Sequence, residues 1–115
     1  MQRLSQGQVV KVAVADPRGQ NKKSRPVVIL TDTDEISVAD TLVVAAISTK
    51  FSDPLPPDCI LLPWAPDGRA RSGLNRPSVV KCHWLVKVAR QDVVSVLGCL
   101  PPEIIQSIMQ IVEKE

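Results

Sequence analysis

Branched apolar residues run in short stretches along this chain, each cut off by Pro, Gly or a polar cluster, until a longer periodic segment closes it. Such short runs predict strands, and the closing segment predicts a helix. "QVVKVAVA", Gln8 to Ala15, is the first strand, with Gly7 at the turn before it. "DPRGQNKKS", Asp16 to Ser24, is a polar loop, and "RPVVILT" is the second strand. Pro26 suits the start of that strand, where a missing N–H costs no central ladder bond. "DTDEISVAD" predicts a turn or a short helical piece. "TLVVAAIST", Thr41 to Thr49, is a third strand, and its unbroken apolar run predicts burial on both faces. A Pro-rich connection, "KFSDPLPPD", leads to a short fourth strand, "CILLP".

"WAPDGRARSGLNRP", Trp64 to Pro77, is a second long loop. "SVVKCHWLVKV" predicts one bent strand or two short ones, because Lys81, His83 and Lys87 fall among apolar residues. "RQDVVSVLGCL" is ambiguous. In "PPEIIQSIMQIVEKE", Pro101 and Pro102 suit a first helical turn and Glu103 suits its positive end. Ile104, Ile105, Ile108, Ile111 and Val112 make one apolar stripe, part of which can face a partner subunit. The elements add up to a mostly β (α+β) fold, a small antiparallel barrel or sheet with one terminal helix.

Composition narrows this picture. The 115 residues suit a single domain, 1–115. Hydrophobic residues at 44% build a core, and aromatics at 3% leave that core to Val, Ile and Leu. A net charge of +2 is compatible with an anionic partner without requiring one. Cys59, Cys82 and Cys99 form no C-x-x-C pair, and one histidine cannot complete a usual zinc set, so neither metal nor cofactor is expected. Free thiols, no apolar leader at the N-terminus and no apolar run long enough for a bilayer together predict a cytoplasmic protein with no membrane role.

The ordered set "GQVVKV", a basic loop, "SRPVVIL", "VVAAIST", "SGLNRPSVVKCHWLVKV" and "LGCLPPEIIQSIMQIV" resembles the MazF/PemK toxin family, also called the Kid family. The resemblance covers nearly the whole chain. No single element of it is specific; the order and spacing carry it. It implies a homodimer of SH3-like antiparallel β-barrels (CcdB/MazF-like) with a C-terminal helix. It also implies a metal-independent endoribonuclease of a type II toxin–antitoxin system, acting on single-stranded RNA. The implied partner is a cognate antitoxin, through which alone the toxin meets DNA.

Metal-free RNA cleavage uses the substrate's 2′-hydroxyl as nucleophile and needs proton transfer and charge stabilisation at phosphorus. With His83 as the only histidine, a two-histidine device is excluded, and no acidic cluster marks a two-metal one. By the resemblance, Arg25 in "SRP" is the catalytic arginine. A guanidinium holds its proton, so its safer role is to stabilise phosphate charge. Ser48 stands where the family usually has Thr, and Thr49 is the counterpart if the register shifts by one. Ser78 matches a supporting serine. His83 and Trp84 fall near the expected RNA path, one able to hydrogen-bond a base and the other to stack on it. Lys22, Lys23, Arg69, Arg71 and Arg76 make a cationic track if their loops flank one groove. Phe51 and Trp64 can stack on bases.

Each of these residues also has a plainer use. Arg25 can solvate a strand end, Ser48, Thr49 and Ser78 can begin or end strands, charged loop residues can face water, and Trp64, Trp84 and Phe51 can pack in the core. Two other functions stay open at this point. One is a non-catalytic toxin of the same fold that binds a protein target, as the gyrase-poisoning CcdB toxins do. The other is an inactive RNA-binding barrel. The loop from Asp16 to Ser24 is polar enough to act as a lid.

Overall fold

A computed structural model of the chain describes residues 4–14, 20, 23–36 and 41–113. The elements run β1 (Gln8–Val14), β2 (Lys23–Ile29), α1 (Thr33–Ile36), β3 (Thr41–Ser48), β4 (Cys59–Leu61), β5 (Val79–Ala89), a 3-10 turn (Arg90–Asp92), β6 (Val93–Cys99) and α2 (Pro102–Glu113). The six strands form one sheet in the order β4-β5-β3-β2-β1-β6, with every neighbouring pair antiparallel.

Alternation along the central strands gives each sheet face its own core. Val9, Val28, Ala45, Ile47 and Val80 face a layer that includes Leu62, Leu74, Leu100 and Ile108 of α2. Val10, Val12, Val27, Leu42, Val44 and Val88 face a second layer with Leu4 and Ile36. The expectation of two buried faces for β3 therefore holds: five of its eight residues, Leu42 and Val44 to Ile47, are buried. Helix α2 begins at Pro102, where Ile104 and Ile105 both donate to the Pro101 carbonyl. Ile108 is its one fully buried residue, while Ile104, Ile105, Met109, Ile111 and Val112 pack partly against the first layer.

Several boundaries differ from the sequence reading. The polar loop expected to last through Ser24 ends earlier, because Lys23 and Ser24 pair with Val14 and Ala13 of β1. Ladder pairing uses backbone groups, so two polar side chains do not prevent it. The second strand stops at Ile29 rather than Thr31, and the fourth is only Cys59–Leu61 rather than reaching Pro63. The ambiguous segment after β5 resolves into the 3-10 turn and β6. "DTDEISVAD" does contain a helical piece, α1, whose last carbonyl at Ile36 accepts from the Arg90 guanidinium at 3.0 Å. The remainder of the Asp16–Ser24 loop, proposed as a lid, includes positions 16–19, 21 and 22, which lie outside the described residues.

The barrel is not closed by strand pairing, since β4 and β6 are the two ends of the sheet. The loop between β4 and β5 bridges them. It leaves β4 with the Leu62 N–H donating to Ser78, and it meets β6 where the Cys99 N–H donates to the Arg71 carbonyl at 3.0 Å. Two glycines permit that approach. A Cβ on Gly98 would overlap the backbone of Arg71 and Ser72, and one on Gly73, at φ +76°, would overlap the Leu97 carbonyl. Ser72, fully buried, locks the loop by donating from Oγ to the Pro63 carbonyl at 2.6 Å and accepting from the Leu74 N–H.

Replacing Gly98 with Ala therefore forces backbone apart at the seam. The expected result is a loss of about 1–3 kcal/mol in urea unfolding, with faster hydrogen exchange at the Cys99 amide. An unchanged midpoint would show that the seam gives way freely.

Candidate active site

The geometry around Arg25 follows from strand register. β2 pairs with β1 so that Arg25 stands opposite Val12. On its other side the ladder runs Ile29↔Val44, Val28↔Ala45, Val27↔Ala46. The ladder ends at Val27↔Ala46, with Arg25 two residues beyond it on β2 and Ser48 two residues beyond it on β3. Arg25 and Val27 share a sheet face, so the arginine lies at the rim of the second core layer. It is half-buried, directly before Pro26, which fixes the backbone that presents it.

A second element reaches the same place through an irregularity in β5. Leu85 pairs with Ala45, but the next residue of β3, Ala46, pairs with Lys81. Cys82, His83 and Trp84 are therefore extra residues on the β5 side. A bulge of this kind re-aims the side chains it carries. The Trp84 ring, half-buried, lies under the Arg25 guanidinium, 5.4 Å from Cζ to the ring centroid. A cation over an aromatic face is held there electrostatically. Trp84 was more expected in core packing; the bulge gives it this other use.

His83, on the same bulge, contacts the Asp58 carboxylate through Nδ1. Asp58 is held from further sides: its carbonyl accepts from the Cys82 N–H at 2.9 Å, and its Oδ1 lies 3.7 Å from Cys59 Sγ. Sequence reasoning missed Asp58, because it ends a Pro-rich connection with no pattern around it. Burial pushes the Cys59 thiol up from its ordinary range; the Asp58 charge adds to this and Lys81, its cross-strand neighbour, opposes it.

The other expected site residues divide by position. Ser48 is half-buried; its Oγ accepts from the Lys50 N–H at 3.1 Å and lies 3.3 Å from the Lys50 carbonyl. Thr49 is exposed just past the strand end. Ser78 is buried at 2% exposure, and its hydroxyl donates to the Arg76 carbonyl, closing the turn that starts β5 opposite Ser48. Arg76 is exposed at that same end. Lys23 is exposed on β2, two residues from Arg25 and on its face. Arg71 is exposed and belongs to the seam near Cys99, which pairs with Gln8. Gln8 and Val12 are roughly 13 Å apart along β1, so Arg71 is remote from Arg25. Arg69 faces solvent, with Asp67 at 3.8 Å. Phe51 and Trp64 stay about two-fifths exposed, at 40% and 41%. Lys22 lies outside the described residues. Among the described residues, no cluster of metal-binding side chains occurs, and no helix is long and apolar enough to cross a membrane.

A six-stranded antiparallel sheet with one C-terminal helix is also the architecture of solved MazF toxins. A chain of the MazE–MazF complex from Deinococcus radiodurans matches with a TM-score of 0.74 at 14% identity, over 99% of this chain and 96% of that one. The Mycobacterium tuberculosis toxin MazF-mt6 matches at 0.69 and 21% identity, over 93% of each chain. An endoribonuclease in complex with its cognate antitoxin, from a mycobacterial species, matches at 0.69 and 14% identity, over 96% of this chain and 92% of that one. No curated protein matches the sequence. The sequence pattern of the PemK-like, MazF-like toxins of type II toxin–antitoxin systems matches residues 5–114. The chain belongs to that family.

The raised Cys59 thiol yields a test of the local charges. Alkylation of Cys59 by iodoacetamide at pH 8, followed by mass spectrometry, is expected to be slow, because little thiolate is present. Asp58→Asn removes the carboxylate charge, the largest cause after burial, and is expected to speed it. An equal rate in the variant would mean that the carboxylate does not govern this thiol.

Proposed function

We propose that this toxin is a metal-independent endoribonuclease that cuts single-stranded RNA, with messenger RNA as its target. The observation that carries the reading is the Arg25 guanidinium held over the Trp84 ring, on the strand that pairs with the one ending at Ser48. In this reaction the 2′-hydroxyl of the substrate attacks the adjacent phosphorus. The O2′–P bond forms, the P–O5′ bond breaks, and the products are a 2′,3′-cyclic phosphate and a 5′-hydroxyl. Charge builds on the non-bridging oxygens as phosphorus becomes five-coordinate. Arg25 meets that charge with two parallel N–H donors, which strengthen as the oxygens become more negative.

Ser48 supplies a hydroxyl on the same side. Its contact to the Lys50 carbonyl is long, at 3.3 Å, so the proton can turn to a phosphate oxygen without losing a strong bond. Serine lacks the methyl that restricts a threonine, so this hydroxyl is held by the Lys50 N–H instead. Lys23 and Arg76 flank the two strand ends and attract neighbouring phosphates.

Two further features belong to the same reading. The partly buried stripe of α2 suits a homodimer contact. A cognate antitoxin is the natural regulator, in line with the solved complexes of MazE with MazF.

The test is cleavage of a long single-stranded RNA by purified protein in EDTA. Wild type is expected to give discrete fragments ending in 2′,3′-cyclic phosphate. Arg25→Ala is expected to lose about 10²–10³-fold in rate, the usual effect of removing one charge-stabilising donor. Intact RNA with folded wild type, across several substrates, would refute the activity. Full cleavage by Arg25→Ala would refute the site.

A further inference from the structure

Arg25 and Ser48 stabilise charge, but neither takes the proton from the attacking 2′-hydroxyl. A guanidinium has no acceptor, and a serine hydroxyl is too weak a base. We infer that His83, oriented by Asp58, is the general base of the cleavage reaction. This inference rests on the endoribonuclease reading above and adds a residue to it.

The bulge in β5 makes the assignment concrete. His83 is the single histidine of the chain. It directly precedes Trp84, whose ring supports Arg25, so its Cα lies about 3.8 Å from that of Trp84. Its side chain is 50% exposed to solvent. The Nδ1–H donates to Asp58 Oδ2, which leaves the Nε2 lone pair directed away from the carboxylate and free to accept a proton. Asp58 is itself fixed, by the Cys82 N–H on its carbonyl and by Cys59 beside Oδ1. A carboxylate behind an imidazole sets the tautomer and stabilises the imidazolium that forms.

The step balances without a metal. His83 Nε2 takes the 2′-hydroxyl proton as O2′ bonds to phosphorus. The P–O5′ electron pair leaves with O5′, which takes a proton from a water molecule. The hydroxide so formed recovers the proton from the imidazolium. Asp58, from the connection before β4, touches the imidazole; Cys59 on β4 lies beside Asp58 Oδ1, and Lys81 on β5 pairs with Cys59. Asp58 is the one in contact, and it acts as a positioning residue.

The experiment measures single-turnover cleavage from pH 5 to 8.5 for wild type, His83→Gln and Asp58→Asn, with binding to a 2′-deoxy form of the same RNA. Wild type is expected to show a rate that rises with pH, because a general base accepts a proton only in its unprotonated form. His83→Gln is expected to lose about 10²–10⁴-fold in rate and the rising limb, with affinity for the deoxy RNA kept. Asp58→Asn is expected to fall between the two, again with affinity kept. His83 is exposed and Asp58 partly buried, and thermal melts establish that the variants fold. A His83→Gln enzyme with the wild-type rate and profile overturns the inference and leaves the nuclease reading intact. So does a variant that loses affinity alone, which would make His83 a base-binding residue. Wild type that cuts no RNA removes the nuclease reading itself, and the inference with it.

Discussion

The register of β2 between β1 and β3 is the constraint on which the site depends. Side chains alternate across a strand, so a slip of one residue turns every one of them to the opposite face. Here a slip would send Arg25 toward the layer under α2 and would exchange the layers that Val27 and Val28 fill. Small residues on β3, Ala45 and Ala46, fit against Val28 and Val27, and Pro26 can donate to no ladder. The two buried layers therefore fix where Arg25 emerges. Its guanidinium is placed by packing in the middle of the strand, several residues away.

The second contribution comes from a break in regularity. Three extra residues in β5 carry Trp84 to Arg25 and His83 to Asp58, and they do so at a point where a regular strand would have alternated them in and out. Irregular backbone of this kind lasts where neighbours hold it. Here the Cys82 N–H is held by the Asp58 carbonyl, and Cys82 itself is fully buried. The seam between β4 and β6 shows the same logic. Gly73 and Gly98 allow a loop to approach an edge strand closely enough to cover it, so the sheet is protected at its ends without closing into a continuous ladder.

Much of the fold was legible because its strongest signals are local. The apolar run of β3, the prolines before α2 and the stripe on α2 each announce their element. Arg25 and Ser48 were legible only through the ordered resemblance, since Arg-Pro before a strand means little alone. What was not legible depends on contacts distant in sequence. Asp58 meets His83 across 25 positions, and nothing near either predicts it. The separation of Arg71 from Arg25 likewise follows from the seam, where the loop binds β6. Lys23 and Ser24 read as loop because of their polarity, while backbone pairing to β1 makes them strand.

The central claim is that the end of β2, the end of β3 and the bulge of β5 form one phosphate-binding site. A crystal structure with an RNA carrying a 2′-deoxy nucleotide at the cut position tests it most directly. The account predicts the scissile phosphate within about 3 Å of the Arg25 guanidinium nitrogens, at hydrogen-bonding distance, with Ser48 on its other side and Trp84 still beneath the arginine. RNA bound elsewhere on the surface, with Arg25 and Ser48 touching none of it, would contradict it.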